Sequence, residues 1–304
     1  MGDLKLFSID GNDALEIPSA AAHVEKHLQD RIERNLDAFI GVRLLASEYV
    51  TGKVHGGRID TLGLDENDSP AIVEYKRSTN ENVINQGLFY LDWLLDHRAE
   101  FQLLTMNKLG ATVAEQIDWS SPRLICIAGD FNRYDEHAVQ QMGRNIELIR
   151  YRLFGDRLLA LELVNAPRTL TSVGSTNGTS SKSSASHKTV SEYLEQAPES
   201  LRQLYADLEA FLVSLGDDVQ EKTTKSYIAF RRLRNFACVE VHPQAHELLA
   251  FVKLDPDAEE LETGFTRDVR QVGHFGTGDL EIRVEDAGML ERAKPLLMKS
   301  YEGS

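Results

Sequence analysis

One segment sets the main limit on how this chain can fold. From Ala166 to Lys188 it reads APRTLTSVGSTNGTSSKSSASHK, mostly Ser, Thr, Gly and Asn, with almost nothing to bury. Such a run cannot offset the entropy of ordering its backbone, so it is expected to be a flexible linker. A chain of 304 residues is too long for one ordinary core. The segment leaves residues 1–165 and 189–304, each of plausible domain size. No internal repeat relates the two halves.

Composition narrows the classes. Hydrophobic residues at 42% and charged residues at 27% describe a soluble globular protein and exclude a collagenous or wholly disordered chain. The formal charge of -15 argues against a general nucleic-acid coat or a membrane-surface binder, although a local basic cleft in an acidic shell is still allowed. Cys126 and Cys238 each lie inside an apolar run, LICIA and FACVEV, and read as small core hydrophobes in a reducing compartment. No stretch approaches the ~18 apolar residues of a spanning helix, and MGDLKLFSIDGND lacks a signal-peptide layout. The expected location is the cytoplasm, with no membrane partner and no organic cofactor.

The N-terminal half reads as mixed α/β. A strand, LKLFSI, precedes a helix expected from about Ala20 to Phe39, with Val24, Leu28, Ile32, Leu36 and Phe39 at helical spacing and Gly41 ending it. Three strand-like runs follow, VRLLASEYV, RIDTLGL and AIVEYK, with DENDSP as a hairpin turn between the last two. A helix from about Asn82 to His97 continues or restarts toward Gln116. RLICIAGDF reads as a buried strand. A short helix near Glu136 to Met142 and the strands IELIRYRLF and RLLALELV close the half. The C-terminal half reads as α+β: a helix from Pro198 to Leu215, strands at SYIAFRRL, FACVEVH, ELLAFVKL and GDLEIRV, and a closing helix from Ala287 to Ser300.

The chemistry concentrates in GGRIDTLGLDENDSPAIVEYKRSTNENVINQGLFYLDWL. Strand alternation puts Glu74 and Lys76 on one face and Tyr75 on the other, and the hairpin can bring Asp60 beside them. Two carboxylates and an ammonium at the end of a short sheet suit Mg²⁺ or Mn²⁺. A lysine there can position or help deprotonate a water that attacks a phosphodiester. A surface ion pair is the plain alternative. The apolar Ile72 and Val73 ahead of Glu74 argue against it, because ionised groups at the edge of a buried strand are costly unless they serve a metal or partner. Gly56 and Gly57 allow close backbone approach. In the first helix Glu25 projects into the apolar stripe and Glu33 falls on its flank, so Glu25 is the better third acid.

These residues, EKHLQ, GGRID, EYK and NQGLFYL, resemble the PD-(D/E)XK nuclease superfamily, and within it the catalytic domain of the NucS/EndoMS mismatch-type endonucleases. The resemblance covers about Val24 to Trp93. It implies a restriction-endonuclease-like fold and an Mg²⁺- or Mn²⁺-dependent deoxyribonuclease acting on DNA, in repair or in defence against foreign DNA. It also implies Asp60, Glu74 and Glu25 as metal residues, with Lys76 and Gln86 completing the catalytic set. The family's N-terminal DNA-binding domain is missing ahead of the helix, so mismatch specificity does not carry over. A homodimer is left open. The rival readings are a nuclease-fold module that binds nucleic acid or a partner without cutting, and a transport-associated protein.

From about Val190 to Tyr301 the chain resembles an uncharacterised bacterial domain family appended to nuclease-like proteins, on YLEQAPESLRQLY, VGHFGTGDLEIRV and PLLMKSYE. Lys222, Lys225, Arg231, Arg232 and Arg234, interleaved with Tyr227 and Phe230, form a basic cluster able to bind phosphates and stack on bases. Arg58 and Arg77 flank the proposed site, so both halves are expected to touch DNA. The string Gly273 to Gly278 leads into a strand and reads as a turn. His23 and His27, at i,i+4, read as an exposed pair, and Tyr90 and Trp93 as helix packing with stacking on DNA as the alternative.

Overall fold

The computed structural model describes residues 4–21, 25–77, 83–165 and 189–304. The chain divides into two compact units, Met1–Pro167 and Arg168–Ser304. The Ser/Thr/Gly-rich segment and His23 lie outside the described residues.

The first unit opens with an exposed hairpin, β1 (Leu6–Asp10) and β2 (Asp13–Ile17), which pair with each other in a two-stranded sheet. The LKLFSI strand therefore forms but stays out of the main sheet. After β3 (Ser19–Ala20) come two helices, α1 (Glu25–Glu33) and α2 (Leu36–Ile40), where a single longer helix was expected. The break falls at Asn35, whose backbone leaves the helical region (φ -134, ψ 30). Leu28, Ile32, Leu36 and Ile40 are buried across it. Gly41 ends α2 with φ 63, a conformation that suits glycine.

The next strands are β4 (Val42–Val50), β5 (Arg58–Asp65) and β6 (Pro70–Lys76), with a short α3 (Gly52–His55) between the first two. Helices α4 (Val83–Asp96), α5 (Arg98–Leu109) and α6 (Ala111–Glu115) lead to β7 (Arg123–Ala128). Helix α7 (Arg133–Gln141) then leads to β8 (Ile146–Phe154) and β9 (Leu158–Asn165). The sheet order is β3-β8-β7-β6-β5-β4, with β9 also paired to β8. β4, β5 and β6 form an antiparallel meander, whereas β6, β7 and β8 run parallel, each crossover carrying helix. Buried apolar residues of α4 (Val83, Leu91, Leu94) pack with Ile59, Leu62, Ile72, Leu124 and Leu148 of the sheet.

A buried ionic knot ties the meander to the parallel half. Arg123 donates through Nε and Nη2 to the two oxygens of Glu147, each at 2.8 Å, and through Nη1 to Asp65 Oδ2 at 3.4 Å. Asp65 in turn accepts from Asn67 N and Ser69 N, at 2.9 and 2.8 Å, which shapes the β5–β6 turn.

The second unit is α+β. Helices α8 (Val190–Gln196) and α9 (Glu199–Ser214) precede β10 (Gln220–Thr223), β11 (Ile228–Arg231), β12 (Asn235–His242) and β13 (Glu247–Val252). Then come β14 (Thr266–Asp268), β15 (Leu280–Val284) and α10 (Ala287–Glu302). The sheet is antiparallel in the order β10-β11-β12-β13-β15-β14. Its main core joins Leu201, Leu208 and Leu212 of α9 and Leu290 and Leu297 of α10 to Phe230, Val239, Ala250 and Ile282. A smaller cluster holds Tyr227, Cys238, Phe251 and Val269. Both cysteines are buried, as small core residues should be. Among the described residues no helix is long and apolar enough to cross a membrane.

Candidate active site

The site forms where two paired strands part. β5 and β6 keep ladder register down to Thr61 opposite Val73. One step further, side chains replace backbone partners. Asp60 N donates to Glu74 Oε1 at 3.2 Å, and Tyr75 N donates to Asp60 Oδ2 at 3.1 Å. Gln29 of α1, itself buried, donates to the Asp60 carbonyl at 2.7 Å. The widened gap between strands thus holds two facing carboxyl groups, each locked by a main-chain N–H of the opposite strand.

Burial decides their electrostatics. Glu74 is fully buried, and its carboxyl is pushed up to about 9, first by loss of water and then by the neighbouring Asp60 charge. Asp60 is also raised, first by burial; Tyr75 N and Lys76 oppose this, whereas Glu48 and Glu25 add to it. Among the described residues, no group donates a hydrogen bond to Glu74 Oε2. A buried acceptor left bare beside a second carboxylate is what a hard divalent cation would satisfy, and Mg²⁺ commonly takes one or two protein carboxylates and keeps its remaining waters. Asp60 and Glu74 therefore fit such an ion. Among the described residues no three His, Cys, Asp or Glu side chains gather closely enough to hold a metal.

The other expected residues divide. Lys76 lies on the Glu74 side of the strand, and its Nζ meets Glu25 Oε2 at 3.3 Å. Glu25 therefore reaches the lysine instead of completing a carboxylate cluster. Glu33 is committed elsewhere, accepting from Thr61 Oγ1 at 2.5 Å and Gln29 Nε2 at 2.9 Å. Thr61 also reaches Tyr75 OH at 3.3 Å, which puts Tyr75 on the face away from Glu74. Gln86 sits half-buried in the first turn of α4 and makes none of these hydrogen bonds. Gly57 lies against Tyr90: a Cβ there would stand 2.5 Å from Tyr90 Cε1. Tyr90 OH accepts from Arg58 N at 3.1 Å, fixing the strand entry. Arg58 and Arg77 are exposed, and Arg58 Nε pairs with Glu48 Oε2 at 2.5 Å.

Sequence periodicity missed two contributors. Gln29 gave a usable signal, a polar residue one step from Leu28 in the apolar stripe. Glu48 gave none, because its role depends on a left-handed backbone, φ 53, towards the end of β4.

The second basic cluster needs correction. Arg231 is 3% exposed, with Nη2 on the Leu233 carbonyl at 3.3 Å. Arg232 pairs with Asp218 at 2.7 Å and lies over the Tyr301 ring at 4.7 Å, and Arg234 donates to the Gly303 carbonyl at 3.1 Å. Tyr227 and Phe230 are buried. β11 is an interior strand, so its alternating side chains enter the two cores. Arg231, Tyr227 and Phe230 are therefore interior and present no stacking surface, whereas Lys222, Arg232 and Arg234 are half-buried and Lys225 is exposed. In the first unit Tyr90 and Trp93 are likewise buried, with Trp93 stacked on His97 at 4.9 Å, whereas His27 is exposed. Gly273 to Gly278 forms a loop before β15.

The family model described as "Domain of unknown function (DUF5655)" matches residues 190–304. An uncharacterized protein of Haemophilus influenzae is 26% identical over 306 residues, covering 98% of this chain and 100% of that one. That alignment spans both units. Two solved structures share 15–16% identity: a repair endonuclease from Pyrococcus abyssi (TM-score 0.29, 43% of this chain and 49% of that one) and an EndoMS complex with double-stranded DNA (TM-score 0.25, 47% and 49%). The chain spans about half the length of each.

Proposed function

We propose that the first unit is a restriction-endonuclease-like domain that hydrolyses DNA phosphodiester bonds with the help of Mg²⁺ or Mn²⁺. The observation that carries this reading is the bare, fully buried Glu74 Oε2 beside Asp60, where β5 and β6 separate. Asp60 and Glu74 would hold the ion, which when bound would neutralise charge on the phosphate. Lys76 stands on the same strand face, and its ammonium would orient the attacking water and hold a proton near it. Glu25 keeps that ammonium aimed through the 3.3 Å ion pair. Gln86, in the first turn of α4, would act on the phosphate side. Arg77 adds positive charge at the strand end. The sequence resemblance to NucS/EndoMS catalytic domains supports the same reading.

The test is incubation of the full chain with single-stranded, duplex and branched DNA in Mn²⁺, beside Asp60→Ala and Lys76→Ala. Cutting by the parent that both substitutions abolish is the expected result. Cutting that survives both would come from a contaminant and end the enzyme reading. Binding without cutting by any form would favour the non-cleaving module.

A further inference from the structure

Glu48, near this site, combines an unusual backbone conformation with a position opposite another acid. Its φ of 53 is left-handed, which a non-glycine residue within a strand seldom adopts unless its surroundings require it. The flanking pairs Ser47 with Thr61 and Tyr49 with Ile59 set it across the ladder from Asp60, so two acids face each other. Its carboxylate is bridged by two cations from different elements: Lys26 Nζ of α1 at 3.2 Å from Oε1, and Arg58 Nε of β5 at 2.5 Å from Oε2. Lys26 and Arg58 are 46% and 64% exposed, so neither is needed by the core, and Lys26 also meets Asp30 at 3.4 Å. A two-oxygen anion is thus held at the rim of the Asp60–Glu74 gap by solvent-facing cations.

We propose that Lys26 and Arg58 form the binding site for a backbone phosphate of the substrate strand, with Glu48 occupying that site until the strand arrives. The proposal rests on the nuclease reading and refines its substrate class. Glu48 competes from within the molecule, so a free phosphate or mononucleotide meets it at a disadvantage. A polynucleotide whose neighbouring phosphate would be anchored by the ion that Asp60 and Glu74 hold presents its next phosphate at high effective concentration and displaces the Glu48 carboxylate. Lys26 and Arg58 then pass from Glu48 to the phosphate oxygens, and no covalent bond changes. The site therefore selects polymers over nucleotides.

The experiment measures anisotropy of a labelled oligonucleotide with the full chain carrying Lys76→Ala, which prevents cutting and leaves Asp60 and Glu74 in place, in Mg²⁺ at several salt concentrations. Adding Glu48→Gln should tighten binding by about twofold to tenfold, since it frees two exposed ion pairs. Glu48→Asn, which also suits the left-handed backbone, should do the same and keep the fold secure. Lys26→Gln and Arg58→Gln should each weaken binding and lower the salt slope by about one. The proposal is overturned if both Glu48 variants bind no better than the parent, or if the Lys26 and Arg58 variants bind unchanged. A parent that binds no polynucleotide at all would instead remove the nuclease reading, and this proposal with it.

Discussion

Replacing Glu74 by glutamine should make the first unit more stable in metal-free buffer, despite deleting a charged site residue. In the folded chain the Glu74 carboxyl is held at about 9, against 4.5 in the unfolded chain. Between those values the folded state binds more protons, so stability falls as pH rises from 4.5 towards 9. At ~1.4 kcal/mol per pH unit, the cost at pH 7.5 is bounded at about 4 kcal/mol. Glutamine cannot ionise, its carbonyl can still accept from Asp60 N, and its amide can donate toward Asp60. Glu74→Gln should therefore raise the first unit's melting temperature at pH 7.5 by about 8–16 °C at most, using ~2–4 °C per kcal/mol for a unit of this size. The gain should grow from pH 5 to pH 9 and vanish below pH 4.5. Calorimetry in EDTA at pH 4, 6 and 8 measures this. Repeating it with Mn²⁺ should raise the parent's melting temperature, by ~2.7 kcal/mol of stability at a hundred times the dissociation constant, and leave Glu74→Gln nearly unmoved. A variant that melts at or below the parent at pH 8 in EDTA would refute the claim that Glu74 is strained by burial beside Asp60.

Further predictions concern neighbouring features. Arg123→Met strands Glu147 and Asp65 in the interior and should destabilise the first unit by about 3–5 kcal/mol in urea denaturation; adding Glu147→Gln should recover part of the loss. Gly57→Ala pushes a methyl into Tyr90 and should cost about 1–3 kcal/mol by the same assay. It should also lower DNA cleavage by moving Arg58 and Asp60. In the second unit Glu221 is raised to about 7, first by burial and then by Glu209. Its stability should therefore fall as pH rises from about 4.5 to 7, and Glu221→Gln should flatten that slope in a series of thermal melts.

The sequence by itself determined most elements and the heart of the site. Period-two alternation through AIVEYK fixed which face Glu74 and Lys76 share, and the turn residues of DENDSP fixed the hairpin that brings Asp60 alongside. Helical spacing in the first helix marked Glu25 as a third acid, but its carboxylate meets Lys76 instead of joining the other two. The physical reason is that each of these depends on local geometry: side-chain direction repeats with the backbone, and a tight turn leaves little freedom in register. Tertiary structure decided the rest. No local signal breaks the first helix at Asn35, and none bends β4 at Glu48 to face Asp60. Nor does one reveal that Arg231, in a run that reads as a basic surface, belongs to an interior strand. The raised Glu74 carboxyl is the clearest case. Its charge cost comes from strands that part around it and close off water, and that arrangement exists only once β5, β6 and α1 have packed together.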